Sequence, residues 1–440
     1  MKKRLNNPDA VVSETLQGMH ALTRMIKDDM KVSLGVTEPG AIALAVSKAR
    51  SLTGGELRAI LLDINSGIYK NAFTCAIPGT NETGNQFAAA LGAVAGDWTR
   101  GLAALDGVTD EDVQAARMLV NAGKVEVTLH EISSALYVRA TVNSELGTAS
   151  VTIEGTHDHI AKVEKNGAVV EEHPYHTARE TGADNITAYS LADLWSYTAE
   201  VPADEIDFIG EAYEVNLRLM EAGAKSQRTD LCKSMIADNG NALVSTDELK
   251  TAQALTAAAI EARVRGLDLP AMSIAGSGNH GIISTMPLYA AATVRNLSAE
   301  ALHRATALGY LVTMYIKAYS GKLSAFCGCA IAAGTGMAVG RLFLLGGTLA
   351  QAGFVISNMA SSLTGVICTG GNPACVLKAA IAVDIGHKAV DMALQNIAVA
   401  PEHGIIGSTP EETMRFMGRI ASPGMQETEE TIIEIFKEKL

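Results

Sequence analysis

Four of the six cysteines fall as two close pairs in one nearly charge-free stretch of the chain. Cys327 and Cys329 sit in SAFCGCAIAAGTG, and Cys368 and Cys375 in GVICTGGNPACVLK. Gly and Ala surround both pairs, so backbone, or a bulky inorganic group, can approach closely. In a reducing compartment, clustered thiols point to metal or redox chemistry before disulfides. Thiolate ligation is also how iron–sulfur clusters are held. The competing reading is that each Cys is simply a small buried apolar residue, and the lack of a CxxC pair keeps it open.

Other loops combine glycine with reactive side chains. LGVTEPGA sets Thr37, Glu38 and Pro39 just ahead of a helix, where an acidic residue suits the helix dipole and capping alone explains Glu38. NSGIYKNAF carries Lys70 and Asn71. EGTHDHI puts His157 and His159 at strand spacing on one face. A metal site is conceivable there, but two surface histidines are the simpler reading. SIAGSGNHGIIS, with Ser277, Gly278, Asn279 and His280, resembles a nest of backbone amides able to hold an anion or a carboxylate. It is not a P-loop, because no Lys-Ser/Thr follows, and no βαβ pattern supports a dinucleotide fingerprint. Neither G-x-S-x-G nor H-E-x-x-H occurs, which argues against serine hydrolases and zinc proteases.

These residues need elements to position them. Residues 10–50 show helical spacing, with a second start at Pro39. Residues 57–63 read as a strand, NSGIYKNAFTCAIPGT as a loop–strand–loop segment, and 84–122 as Ala-rich helix. KVEVTLHE, ALYVRATV, TASVTIEG and IAKVEKNGAVV follow as strands with turns between them. From about residue 189 the pattern becomes mostly helical. The fold class is therefore α+β: an N-terminal α+β region with a small sheet, then an all-α domain carrying the clustered cysteines. The expected division is 1–50 (helices packing on the helical domain), 51–188 (α+β) and 189–440 (all-α).

The 440 residues are 48% hydrophobic and 19% charged, which implies a large interior and suits a homo-oligomer or helices packed inside helices. A net charge of −13 argues against nucleic acid or an anionic membrane as partner. The basic N-terminus has no apolar run after it and is not a signal peptide, so a cytoplasmic protein is expected. No Asp, Glu, Lys or Arg occurs between Arg341 and Lys378, long enough to span a bilayer. That stretch is broken by Gly346-Gly347, Gly370-Gly371 and Asn372-Pro373, so buried helices with glycine-rich connections fit better.

Taken together, GVTEPGAIALA, KNAFTCAIPGT, GTHDHI, EARVRG, LPAMSIAGSGNHGI, LSAFCGCA and VICTGGNPACVLK run nearly the whole chain. In their order and spacing they resemble the L-cysteine desulfidase family, which is related to the alpha chain of iron–sulfur L-serine dehydratases. The resemblance implies a [4Fe–4S] cluster and elimination of sulfide or water from a small β-substituted amino acid, leaving a 2-oxo acid and ammonia. It makes Cys327, Cys368 and Cys375 the implied iron ligands, with Cys329 an extra thiol. It makes Lys70, Glu38 and His280 catalytic candidates, Lys70 being the first choice of base. Thr37, Asn71, Ser277, Gly278 and Asn279 become candidates for substrate contacts. Three positions depart from the family pattern. Val36 stands where a cysteine is usual, Thr369 where an aspartate is usual, and His280 where a glutamine is usual. The expectation is thus a divergent relative, poor toward cysteine. The alternative is a cluster-free protein that keeps the fold and binds a small carboxylate. The three implied ligands should converge, the TEPG and GSGNHG loops should share a pocket with His280 facing the cysteines, and Cys75 and Cys232 should lie apart.

Overall fold

The computed structural model describes residues 21–175, 185–321 and 323–439. The part of the expected first helix that falls on residues 10–20 lies outside them. Residues 21–29 are helical and lead into strand β1, Lys31–Leu34, then helix α1, Thr37–Ser51. The sheet region follows as β2 (Leu57–Ile64), α2 (Ser66–Ala72), α3 (Gly84–Val94), α4 (Asp110–Asn121), β3 (Val125–Leu129), β4 (Tyr137–Ser144), β5 (Gly147–Glu154), β6 (Ile160–Lys165) and β7 (Ala168–Glu172). The remainder is helical apart from β8 (Pro270–Ser273). Its helices are α5 (Leu191–Glu200), α6 (Ala203–Ile206), α7 (Gly210–Lys225), α8 (Leu231–Asp238), α9 (Glu248–Val264), α10 (Gly278–Arg295), α11 (Ala299–Ser320), α12 (Gly334–Leu344), α13 (Leu349–Leu363), α14 (Ala374–Leu394), α15 (Pro410–Ala421) and α16 (Gln426–Lys437). The fold is α+β, as composition and patterning imply.

The six strands lie in the order β3-β2-β4-β5-β6-β7. β2 and β3 are parallel, joined through α3 and α4, and the others form an antiparallel meander. Alternation sets the faces: Val138, Ala140 and Val142 of β4 are fully buried while their neighbours are not. Helix α1 lies against α3, β4 and β5, whereas β1 pairs antiparallel with β8 from the helical part. Residues 31–51 therefore touch both parts of the molecule.

One segment differs from its expected form. Within NSGIYKNAFTCAIPGT, expected as loop–strand–loop, Ser66–Ala72 is helix α2. Ile68, Tyr69 and Ala72 are buried at helical spacing, and Asn65 enters the helix in extended conformation. The helical turn matters because it brings Lys70 and Asn71 inward.

In the helical part, four helices meet at one partly buried carboxylate. Glu248 opens α9, and Arg295 closes α10. Arg295 Nε is 2.5 Å from Glu248 Oε2, Arg341 Nε of α12 is 2.7 Å from Oε1, and His387 Nε2 of α14 is 3.4 Å from Oε1. Arg341 also reaches Asp391 at 3.3 Å. Burial alone would raise the Glu248 pKa. His387 and the two guanidinium groups overcome it and hold the carboxyl well below the usual range.

Removing the carboxylate loses charged hydrogen bonds but strands little charge, because Arg295 is half exposed and Arg341 keeps Asp391. Glu248→Ala should therefore lower unfolding free energy by about 1–3 kcal/mol in urea titration. The folded-state pKa is depressed, so the contribution is complete above the ordinary carboxylate value of 4.5 and is lost only as pH falls well below it. The difference between wild type and variant should be flat from pH 8 to pH 5.

Candidate active site

The cysteines sit at the opposite ends of those helices. Phe326 and Ile367 form an isolated antiparallel bridge, flanked by bonds from Cys327 N–H to Val366 O (3.0 Å) and from Cys368 N–H to Ala325 O (2.5 Å). In that register Cys327 and Cys368 project from the same face as diagonal neighbours, with Cβ atoms somewhat under about 7–8 Å apart. Cys375 lies in the first turn of α14, and its thiol donates to Gly370 O at 3.5 Å. Cys329 opens a single π-turn, Cys329–Ala333, that runs straight into α12. Such π-turns are frequent at functional sites. Gly370, at φ +89°, is the pivot of the second loop: a Cβ there would stand 2.5 Å from Lys70 O.

Charge around the thiols is uneven. The Cys329 thiol beside Cys327 lowers the Cys327 pKa, and Lys378, the Ala330 N–H and Lys70 help against the cost of burial. Cys329 is pushed up in return. Burial pushes Cys375 up to about 12, with the charge on Cys327 adding to it. Burial brings Lys317 down to about 8, resisted by Cys329 and Cys368. Lys70, Lys317, Lys378 and Arg263 thus all act on a cluster of thiols. None of Arg263, Lys317 and Lys378 was singled out from the sequence. EARVRG was noted only as a matching segment, and nothing in helical spacing shows that Arg263 turns inward.

The TEPG segment approaches the same place. Val36 caps α1, and its methyl groups crowd the open side of Gly371, where a Cβ would meet both at 3.0 Å. Thr37 and Glu38 are buried in the first turn. Glu38 Oε1 accepts a hydrogen bond from Asn71 Nδ2 at 2.7 Å and has His157 Nε2 at 3.8 Å. Burial would raise the Glu38 pKa, but His157 and Asn71 bring it down to about 2. His157 is therefore not the surface histidine expected. It is buried on the loop after β5, while His159, two residues on, is half-buried and bonds His173 O. Asn71 also links the carboxylate to the cysteines, because the Cys368 thiol lies 3.8 Å from its Oδ1.

Part of the GSGNHG loop's backbone is spent internally. Ile274 and Ser277 exchange backbone hydrogen bonds, and the Ala275 N–H donates to Asp29. What the loop supplies is side chains and room. Asn279 Oδ1 accepts from Arg263 Nη1 at 3.0 Å, and the missing side chain of Gly278 lets the guanidinium approach. His280 Nδ1 bonds Ile274 O at 3.1 Å, which leaves Nε2 with the lone pair. Nε2 lies against Gly328, between Cys327 and Cys329, where a Cβ would stand 2.7 Å away. Burial, and then the Lys317 charge, lower the His280 pKa to about 3, so the ring is neutral. Ser277 stands at the helix start without a capping bond.

Two residues fall elsewhere than expected. Cys75 is not remote. It lies beside Gly371, and after burial the strongest influence raising its pKa is Glu38. Cys232 is remote, with its thiol 3.8 Å from Gly223 O. Lys70 is fully buried, but its ammonium is committed to Glu429 Oε2 of α16 at 2.5 Å and to Ser324 O at 2.8 Å. Phe73 stacks on Phe436 beside that pair, at 4.5 Å between ring centres. Those two contacts use the ammonium as a structural counter-ion.

Among the described residues no three His, Cys, Asp or Glu side chains converge where one metal ion would bind. A four-iron cube asks for a different spacing, with cysteine sulfurs about 6–7 Å apart given iron–sulfur bonds of about 2.3 Å. The diagonal pair Cys327 and Cys368, with Cys375 beside Gly370, fits that donor chemistry. The surrounding cations suit an anionic cluster.

The model of the serine dehydratase alpha chain matches residues 99–434. The chain belongs to that family. It is also 41% identical over 424 residues to a UPF0597 protein of Clostridium botulinum, covering 95% of this chain and 98% of that one. A UPF0597 protein of Caldanaerobacter subterraneus is 37% identical, and one of Methanocella arvoryzae 35%, over similar shares. No helix among the described residues is long and apolar enough to cross a membrane.

If Lys70 serves as a structural counter-ion, Lys70→Met should cost about 3–5 kcal/mol by stranding the Glu429 carboxylate. The double variant Lys70→Met/Glu429→Leu should recover most of that loss. A double-mutant cycle by denaturant titration measures the coupling, and additive losses would refute the pairing.

Proposed function

We propose that this protein is an iron–sulfur-dependent lyase that eliminates water or sulfide from a small β-substituted amino acid, releasing a 2-oxo acid and ammonia. The observation that carries this reading is the gathering of Cys327, Cys368 and Cys375 inside a ring of cations, in a chain of the serine dehydratase alpha chain family. Those three thiolates would hold a [4Fe–4S] cluster, which when bound supplies a Lewis acid for the leaving group.

The chain's own residues have separate tasks in this reading. Lys317 is the better base for the Cα proton. Its Nζ is partly buried and donates to Gly321 O at 2.6 Å, lies in the field of Cys329, Cys368 and Cys327, and has a pKa lowered to about 8, so a useful fraction is neutral near physiological pH. Lys70 instead fixes residues 323–326, which lead into Cys327, through Ser324. His280, neutral and donating from Nδ1, aims Nε2 at the Cys327–Cys329 turn and holds its shape. Val36 gives the site an apolar wall, which disfavours cysteine as the preferred substrate.

The test is anaerobic purification, with iron and sulfide counted per chain and ammonia release measured from L-serine and L-cysteine. We expect about four irons, turnover of serine above cysteine, and more sulfide release in Val36→Cys. Lys317→Met should keep its iron and lose about 10²–10⁴-fold in rate. A chain without iron and without turnover would favour the cluster-free carboxylate-binding alternative.

A further inference from the structure

Two buried charges beside the cysteines have no full partner in the protein. Arg263 is 3% exposed. Its guanidinium bonds a neutral amide oxygen, Asn279 Oδ1, while Nε has no hydrogen-bond partner, and no carboxylate lies within 4 Å of it among the described residues. Stranding a guanidinium this way is costly, and a bidentate carboxylate is the group that best relieves it. Glu38 is the mirror case. It is 6% exposed and ionised, its two side-chain contacts both fall on Oε1, and neither comes from a permanently charged group. The two charges feel one another without forming an ion pair. Hydrogen bonds tie each of them to the cysteine loops: Glu38 through Asn71 to Cys368, and Arg263 through Asn279 to the turn from which His280 faces Gly328.

We propose that Arg263 and Glu38 form a clamp for a zwitterion, with Arg263 taking the α-carboxylate and Glu38 the α-ammonium of a free amino acid. The clamp rests on the lyase reading for its role, but not for its existence. A protein interior that keeps an anion and a cation apart, each half-satisfied, complements a ligand carrying the opposite pair about one carbon apart. Arg263 supplies the planar fork that matches a carboxylate. Glu38 keeps Oε2 for an ammonium while Asn71 and His157 fix its orientation through Oε1. The clamp leaves the ligand's β-substituent directed to the thiols and Val36. Amino acids with a blocked amine or carboxyl would lose one of the two contacts and leave a buried charge unpaired.

The test uses three probes that cannot be eliminated: L-alanine, propionate and L-alaninamide. Binding is measured by calorimetry on the full chain, both anaerobically purified and iron-free. L-Alanine should bind at least tenfold more tightly than either one-charge probe. Arg263→Lys should weaken L-alanine at least tenfold and leave L-alaninamide unchanged, and Glu38→Gln should weaken L-alanine and leave propionate unchanged. L-Alaninamide or propionate binding as tightly as L-alanine to the wild type would overturn the clamp even if neither variant folds. So would wild-type protein that binds no L-alanine in either form, or variants that weaken all probes equally. Iron content and turnover are read separately. L-Alanine discrimination without iron or turnover would sink the lyase reading and leave the clamp. Normal turnover with an unchanged KM in Arg263→Lys would sink the clamp alone.

Discussion

The Glu248 cluster is the constraint on which the rest of the helical part depends. One carboxylate gathers Arg295, Arg341 and His387 from three helices onto the start of a fourth. Every one of those helices delivers a site residue at its other end. Arg263 lies near the end of α9, Asn279 and His280 begin α10, Cys329 leads into α12, and Cys375 begins α14. The separation is 12–16 residues in each case, which at 1.5 Å per residue is about 18–24 Å. A rotation or slip of any helix at the charged end therefore moves a thiol, a guanidinium or an imidazole at the other.

Small residues make that arrangement possible. The helices approach closely because Ala and Gly line their contacts, so backbone geometry rather than bulky side chains fixes the spacing. The same economy recurs in the site. Gly278 admits the Arg263 guanidinium, and Gly328 admits the His280 ring. An added methyl group at either would collide with a charged or proton-carrying group, not with a pliable side chain. Charged groups are set among these small residues in pairs: Lys70 with Glu429, Glu38 with Asn71 and His157, and Arg263 with Asn279.

Much of this was legible in the chain. Alternating runs such as YVRATV mark strands because side chains on a pleated sheet alternate faces. The run 84–122 reads as one helix but is two, α3 and α4, the second started by a capping box of Thr109 and Asp112. The cysteine pairs and the TEPG, KNAF and GSGNHG segments were marked as chemical because glycine next to reactive groups is a poor choice for bulk core. The short segment NSGIYKNA was misread because seven residues give too few turns to separate helical from extended spacing. His157 and Cys75 were misjudged because period alone places a residue on a face and does not say what covers that face.

The sequence by itself determined the fold class, the order of elements and the chemical types available: thiols, lysines, a carboxylate and glycine-rich turns. Local propensity and apolar periodicity act over a few residues, and those features are local. Tertiary structure alone decided which charges pair. Lys70 and Glu429 are 359 residues apart, and Cys368 and Asn71 are 297 apart. No pattern in the chain encodes such contacts, because they arise only when helices and sheet close on one another and a buried charge must take whichever partner the packing brings within reach. The same closure left Arg263 and Glu38 near each other but unpaired.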